Sequence, residues 1–183
     1  MLRFLPNAIQ KKISNRVIEN VPSNKIKNAF FIEWKALRLL KNGQDSETVF
    51  YDRNKQFQEQ IPDAAILASD VVIGFDTSSW ILIKRCKRLG KKFILDVSIA
   101  HPAEKAKVYT QIATQYPNWS FSIKHKSDAL IALEQQELEQ ADEIVVASSF
   151  TKQTLIKQGI SDKAISVNPY GVNASLFFPS IKA

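Results

Sequence analysis

Short apolar runs rich in Val and Ile stand at residues 48–51, 70–75, 92–97, 143–147 and 164–167, separated by longer amphipathic segments. Runs without in/out alternation belong to strands covered on both faces by crossover helices. The pattern therefore predicts an α/β fold, a doubly wound and mostly parallel sheet of about five strands, Rossmann-like in layout. It places Val71, Val72, Ile94, Leu95, Val145 and Val146 in the core.

Helix signals fill the intervals. Thr77-Ser78-Ser79 can cap a helix that runs through Arg88 and stops at Gly90, with a basic last turn that suits the helix dipole. His101-Pro102 puts proline at a first helical position, and Tyr116-Pro117 closes that segment. Asp128 can cap a third helix, with Leu130, Leu133, Leu138 and Ala141 on its apolar stripe and Glu134, Glu137 and Glu139 largely off it. Ser148-Ser149 caps a fourth, ended by Gly159. Residues 9–21 and 30–40 read as helices with no strong strand before them. The chain thus divides into a helical segment 1–45 that lacks the usual first strand, a Rossmann-like unit 46–168 and a tail 169–183.

Composition narrows the class. A chain of 183 residues is one domain, and 45 % hydrophobic with 23 % charged residues supplies a core and excludes disorder. Cys86 is the single cysteine, so no internal disulfide forms and a cytosolic address is expected. The five glycines lie too far apart for a dinucleotide fingerprint or a P-loop. His101 and His125 form no cluster with zinc-ligand spacing, so no metal site is expected. No stretch is long enough for a signal peptide or approaches the roughly 20 apolar residues of a membrane span, so the protein is expected to be soluble or at most peripheral.

Twenty-five Lys and Arg against 18 Asp and Glu give a net charge of +7, which favours an anionic partner without choosing nucleic acid, lipid or sugar nucleotide. Residues 84–92 hold six of those cations. They suit phosphates of nucleic acid or a lipid head group, and equally a solvated helix end. Nucleic acid is disfavoured because Trp80 and Phe93 fall on core-facing positions instead of interleaving with the charges. Cys86 reads as a packing residue.

In an open parallel sheet, ligands bind beyond the carboxyl ends of the strands. The candidate substrate contacts there are Asp76 and Ser78 after the run 70–75, Asp96 and Ser98 around the end of 92–97, and Ser148 and Ser149 after 143–147. His101 can position or deprotonate a substrate hydroxyl, since imidazole titrates near neutrality. A first-turn histidine before proline can equally pack or cap. Asp96 can orient His101 or a sugar hydroxyl, or simply form a turn. Ser148 and Ser149 offer hydroxyls and free N–H groups at a helix N-terminus, which suits phosphate as well as plain capping.

One longer pattern runs through Ala141-Asp142-Glu143-Ile144-Val145-Val146-Ala147-Ser148-Ser149-Phe150-Thr151, then Leu155 and Gly159, then Ile165-Ser166-Val167-Asn168-Pro169-Tyr170-Gly171-Val172-Asn173 and Phe178-Pro179. It resembles the end of the N-terminal domain of GT-B glycosyltransferases of the retaining "group 1" type (family 4), where such a run leads into the hinge between two Rossmann-like domains. The resemblance covers roughly residues 70–179 when 90–102 is counted. It implies sugar transfer from a nucleotide-sugar donor, a substrate and not a cofactor, to a hydroxyl of an acceptor glycan or lipid, with no metal. The acceptor would sit on this domain and the nucleotide mainly on a C-terminal donor domain.

On that resemblance His101 falls where the family often has an active-site histidine, Ser148 and Ser149 match the small polar end of the strand, and Tyr170-Gly171-Val172 matches the hinge, with Gly171 a substrate contact. The paired-glutamate donor motif and the glycine-rich loop after the first strand have no counterpart here, which implies that residues 1–183 alone do not turn over. Peripheral contact at the inner membrane face is a further expectation. Two other classes stand beside this one: a stand-alone α/β binding or regulatory module, and, ranked last, a basic nucleic-acid-binding domain.

Overall fold

The computed structural model describes residues 21–118, 126–174, 176 and 177. Apart from Val21, the helix expected over 9–21 lies outside them, as do His125 and the Phe178-Pro179 end of the hinge pattern. Three helices come first: α1 (Phe30–Lys41), α2 (Ser46–Glu59) and α3 (Asp63–Leu67). Strands and helices then alternate through β1 (Val71–Phe75), α4 (Leu82–Arg88), β2 (Lys92–Val97), α5 (Pro102–Gln115), α6 (Asp128–Gln140), β3 (Glu143–Val146), α7 (Ser149–Lys157) and β4 (Ile165–Val167). The fold class is the one the sequence predicts, α/β with an all-parallel sheet, in the order β1-β2-β3-β4 and consistent with a Rossmann-like doubly wound fold.

The described sheet has four strands because residues 48–51 are helical, contrary to the strand expected there. Asp45 explains the difference. Its carboxylate accepts the Thr48 N–H at 2.8 Å and the Thr48 hydroxyl at 2.9 Å, and a capped helix of 14 residues overrides the β preference of a short run.

Burial along the strands alternates, which corrects the expectation of runs buried on both faces. Phe93, Leu95, Val97, Ile144 and Val146 are buried and pack with Ile66 of α3, Leu82, Ile83 and Cys86 of α4, Leu138 of α6 and Leu155 of α7. On the other face Ile94 and Val145 are half-buried, Val71 is exposed, and Ile73 and Phe75 are 62 % and 59 % exposed. The buried side chains of α3, α4, α6 and α7 all join the core on the first face, and β1, at the edge of the sheet, is the strand most exposed on the other. Gly74 lets β1 sit close to its neighbours, since a Cβ there would lie 2.3 Å from Ser79 Oγ and 2.4 Å from Phe93 Cζ.

Helix boundaries mostly follow the sequence. Pro102 occupies the first turn of α5, Ser148 caps α7 by accepting the Thr151 N–H at 3.1 Å, and Gly90 and Gly159 take positive φ just past α4 and α7. Ser127, not Asp128, caps α6, accepting the Leu130 N–H at 3.3 Å. Cys86 is buried as expected, and burial pushes its thiol up.

Candidate functional site at the carboxyl edge of the sheet

The turn between β1 and α4 dominates this edge. Asp76 carries the ladder one residue past β1, donating its N–H to the Asp96 carbonyl at 3.0 Å. Thr77 then adopts φ 66°, a left-handed conformation that a β-branched residue takes only under constraint. The constraint is visible. Thr77 N–H and Ser79 N–H both donate to the buried Glu137 carboxylate, at 2.8 and 2.6 Å, and Asn54 Nδ2 donates to the Thr77 carbonyl at 2.8 Å.

Thr77, Ser78 and Ser79 do not cap α4, contrary to the sequence reading. The Ser78 and Ser79 hydroxyls turn back to the Phe75 carbonyl, at 3.1 and 2.8 Å. The free N–H groups at the start of α4 are met instead by Gln58 of α2, whose Oε1 accepts from Ile81 at 2.7 Å and Leu82 at 3.1 Å. A fully buried glutamine from a distant helix thus does the work of a local cap.

Asp76 and Ser98 come together as predicted, with the Ser98 hydroxyl 3.3 Å from both Asp76 oxygens. Asp76, His101, Glu134 and Glu137 line a cavity of about 20 Å³, room for about one water. Burial raises the Asp76 carboxyl above its ordinary value, and the Ser98 hydrogen bonds oppose that. Burial likewise raises Glu134, against an ion pair with Lys126. Glu137 is pushed up to about 7, chiefly by burial, against the anion-favouring N–H bonds from Ser79 and Thr77.

His101 is only 3 % exposed and caps α5, its Nδ1 accepting the Ala103 N–H at 3.1 Å. With that nitrogen accepting, the ring proton sits on Nε2, which donates to Gln135 Oε1 at 2.8 Å. Both ring nitrogens are therefore engaged inside the protein. The His101 N–H donates to Thr154 Oγ1 at 3.1 Å, Thr154 donates to the Thr151 carbonyl at 2.7 Å, and Thr151 bonds the Ser148 hydroxyl. Ser148 is joined to His101 by that chain of bonds. Ser149 and Gly171 are exposed and do not line the cavity, while Asp96 is half-buried beside Asp76 and raises its carboxyl slightly.

A larger space adjoins the same turn. A cavity of about 480 Å³ lies between α2, Thr77 and the start of α6, lined by Asp45, Ser46, Glu47, Phe50, Tyr51, Asn54, Thr77, Lys126 and Leu130. That volume falls in the range of small-molecule sites. The Tyr51 ring is held in place by stacking on Trp80, with centroids 5.3 Å apart and planes 12° apart. Phe50 lies beneath the Arg53 guanidinium, 4.8 Å from its carbon to the ring centroid. Rings, carboxylates, an amide and an ammonium group thus converge on one space. Among the described residues no three His, Cys, Asp or Glu side chains are disposed to hold a metal ion.

Glu134 and Glu137, expected largely off the apolar stripe of α6, are buried on it, and Gln58, Asn54 and the aromatic pair on α2 were not among the expected site residues. A signal for the two glutamates was present. Leu130, Glu134, Glu137, Leu138 and Ala141 follow the i, i+4, i+7, i+8, i+11 spacing of a single buried stripe.

Comparison of the chain with protein-family models, with curated proteins and with solved structures finds no match. Fold and site together define a class: an α/β protein with a parallel sheet, whose carboxyl edge carries a hydrogen-bonded polar turn beside a cavity of ligand size. No described helix is long and apolar enough to cross a membrane.

Proposed function

We propose that residues 1–183 form the acceptor-binding half of a GT-B glycosyltransferase, which moves a sugar from a nucleotide-sugar donor to an acceptor hydroxyl. The observation that carries this reading is the 480 Å³ cavity at the carboxyl edge. Sugars present C–H faces that pack on aromatic rings and hydroxyls that hydrogen-bond to carboxylates and amides. Phe50 and Tyr51 offer the rings, and Asp45, Glu47 and Asn54 offer the polar groups. The hinge-like Asn168-Pro169-Tyr170-Gly171 supports the same reading, since β4 leads directly into it.

In the transfer, the acceptor oxygen bonds to the anomeric carbon, the bond from that carbon to the nucleoside diphosphate breaks, and the hydroxyl proton passes to the departing diphosphate. The role of this half is to fix the acceptor and exclude water, which converts an encounter into a positioned reaction. Asp76 and Ser98 stand at the wall of the turn. Ser149 and Gly171, exposed at the same edge, are left for donor-side contacts. His101 acts first as a structural cap, and any proton transfer through it requires Gln135 to give up Nε2.

The test is release of nucleoside diphosphate from a panel of nucleotide sugars, comparing residues 1–183 alone with the same residues joined to a family donor domain. Release by the joined protein, cut about tenfold or more by Tyr51→Ala, is the expected result. Turnover by residues 1–183 alone, abolished by His101→Ala, would show that the half-enzyme reading is wrong. The engagement of both His101 nitrogens favours one second reading, a saccharide-binding module without catalysis. Saccharide binding with no diphosphate release from either protein would select it.

A further inference from the structure

The outward face of α1 runs against the usual rule for a surface helix. At 100° per residue, Phe30, Trp34, Leu37 and Lys41 fall in one narrow arc, with Phe31 and Arg38 beside it. The opposite side, Ile32, Ala36, Leu39 and Leu40, is buried or half-buried, as expected of a face packed on the protein. The outward arc should be charged and polar. Instead Phe31 is 81 % exposed, Phe30 65 %, and Trp34 and Leu37 52 % each. Phe30 and Phe31 meet edge to face at 5.7 Å, and the Arg38 guanidinium lies over the Trp34 ring at 5.6 Å, so the rings form one continuous patch.

Apart from Glu33, the charges on α1 and just before it have one sign. Lys35, Arg38 and Lys41 lie on the exposed side of α1, and Lys25 and Lys27 stand exposed just before it, next to the exposed Ile26. The only carboxylate on α1, Glu33, is turned to α2 and paired with Arg53 at 3.4 Å. Aromatic and aliphatic side chains ringed by Lys and Arg, with no free acid among them, match the boundary of a bilayer, where apolar groups enter the acyl region and cations meet lipid phosphates.

We propose that α1 seats this protein on the surface of an anionic lipid bilayer. Charge complementarity favours that occupant over a second copy of the chain, since two such faces would bring Lys35, Arg38 and Lys41 against their own equivalents. The inference rests on α1 alone and is independent of the sugar-transfer reading.

The experiment is co-sedimentation of the whole chain with vesicles of phosphatidylcholine, and of phosphatidylcholine with phosphatidylglycerol, in the absence of any sugar substrate. Binding to the anionic vesicles and not to the neutral ones is expected. It should fall by about tenfold or more in Phe31→Ser/Trp34→Ser and in Lys35→Glu/Arg38→Glu, with thermal unfolding of both variants unchanged. Brominated lipid should quench part of the tryptophan emission of the unsubstituted chain, and Trp34→Phe should remove that quenched component. Equal binding to both vesicle types, no binding, or binding that survives both double substitutions would overturn the proposal. So would a dimer in solution that Phe31→Ser/Trp34→Ser dissolves, since a second copy would then cover the face.

Discussion

The turn at the end of β1 and the outer face of α1 depart from the ordinary distribution of polar and apolar groups in opposite senses. At the turn, polar groups are inside: Gln58 and Glu137 are fully buried and hold the backbone of residues 77–82. On α1, apolar groups are outside. The two differ in whether the departure is resolved within the chain. Among the described residues, every buried side-chain nitrogen and oxygen has a hydrogen-bond partner, so the polar interior completes itself and fixes one turn geometry. The aromatic face of α1 is left more than half exposed, with Phe31 81 % in water, and points outward to a partner.

This contrast sets the order of expected mutational effects. Glu137→Ala strips the acceptor from two backbone N–H groups in a buried turn already held at an unfavourable φ. At roughly 1–3 kcal/mol per orphaned group it should cost about 2–6 kcal/mol in urea unfolding. A cost below about 1 kcal/mol would mean that the turn does not depend on this carboxylate.

The pH dependence is a finer probe of the same interior. Glu137 holds its proton more tightly folded, with a value of about 7, than unfolded, near 4.5. The folded state is therefore penalised by the ionised form above about pH 7, and the penalty is relieved as pH falls from there toward 4.5. Burial moves Asp76 and Glu134 in the same direction. Asp63, drawn down by its Arg85 hydrogen bond, acts oppositely but only as acid approaches its own range. The urea midpoint should rise from pH 8 to pH 6, and Glu137→Gln should flatten that rise. A midpoint that falls over the same interval would contradict the assignment.

The smallest effect on stability is expected where the surface departs most from the rule. Phe31→Ser on α1 removes a large ring that is mostly in water, so unfolding should shift by no more than about 0.5 kcal/mol. A loss several times larger would place Phe31 against structure and close the contrast between the two regions.

How much of this was legible in the chain follows the range of the forces involved. The strand at 92–97 and the helix stop at Gly90 depend on local periodicity and on one backbone conformation, and both stand as read. The run 48–51 is helical because the two bonds that the Asp45 carboxylate accepts from Thr48 outrank its β-branched and aromatic composition. The site was partly legible. Asp76, Ser98 and His101 lie where the strand ends put them, but Gln58 and Glu137 reach the turn from 23 and 60 residues away, and only the tertiary packing brings them there. Ser149 and Gly171 share the edge but not the cavity.

The most direct test of the proposed function is a titration of isotope-labelled chain with a panel of simple alkyl glycosides, followed by amide and aromatic NMR shifts. Binding by the cavity between α2, Thr77 and α6 predicts saturable perturbations centred on Phe50, Tyr51, Asn54, Thr77 and Lys126, and their loss in Tyr51→Ala. Perturbations centred elsewhere on the molecule, or none with any glycoside at concentrations where the folded chain is intact, would contradict it.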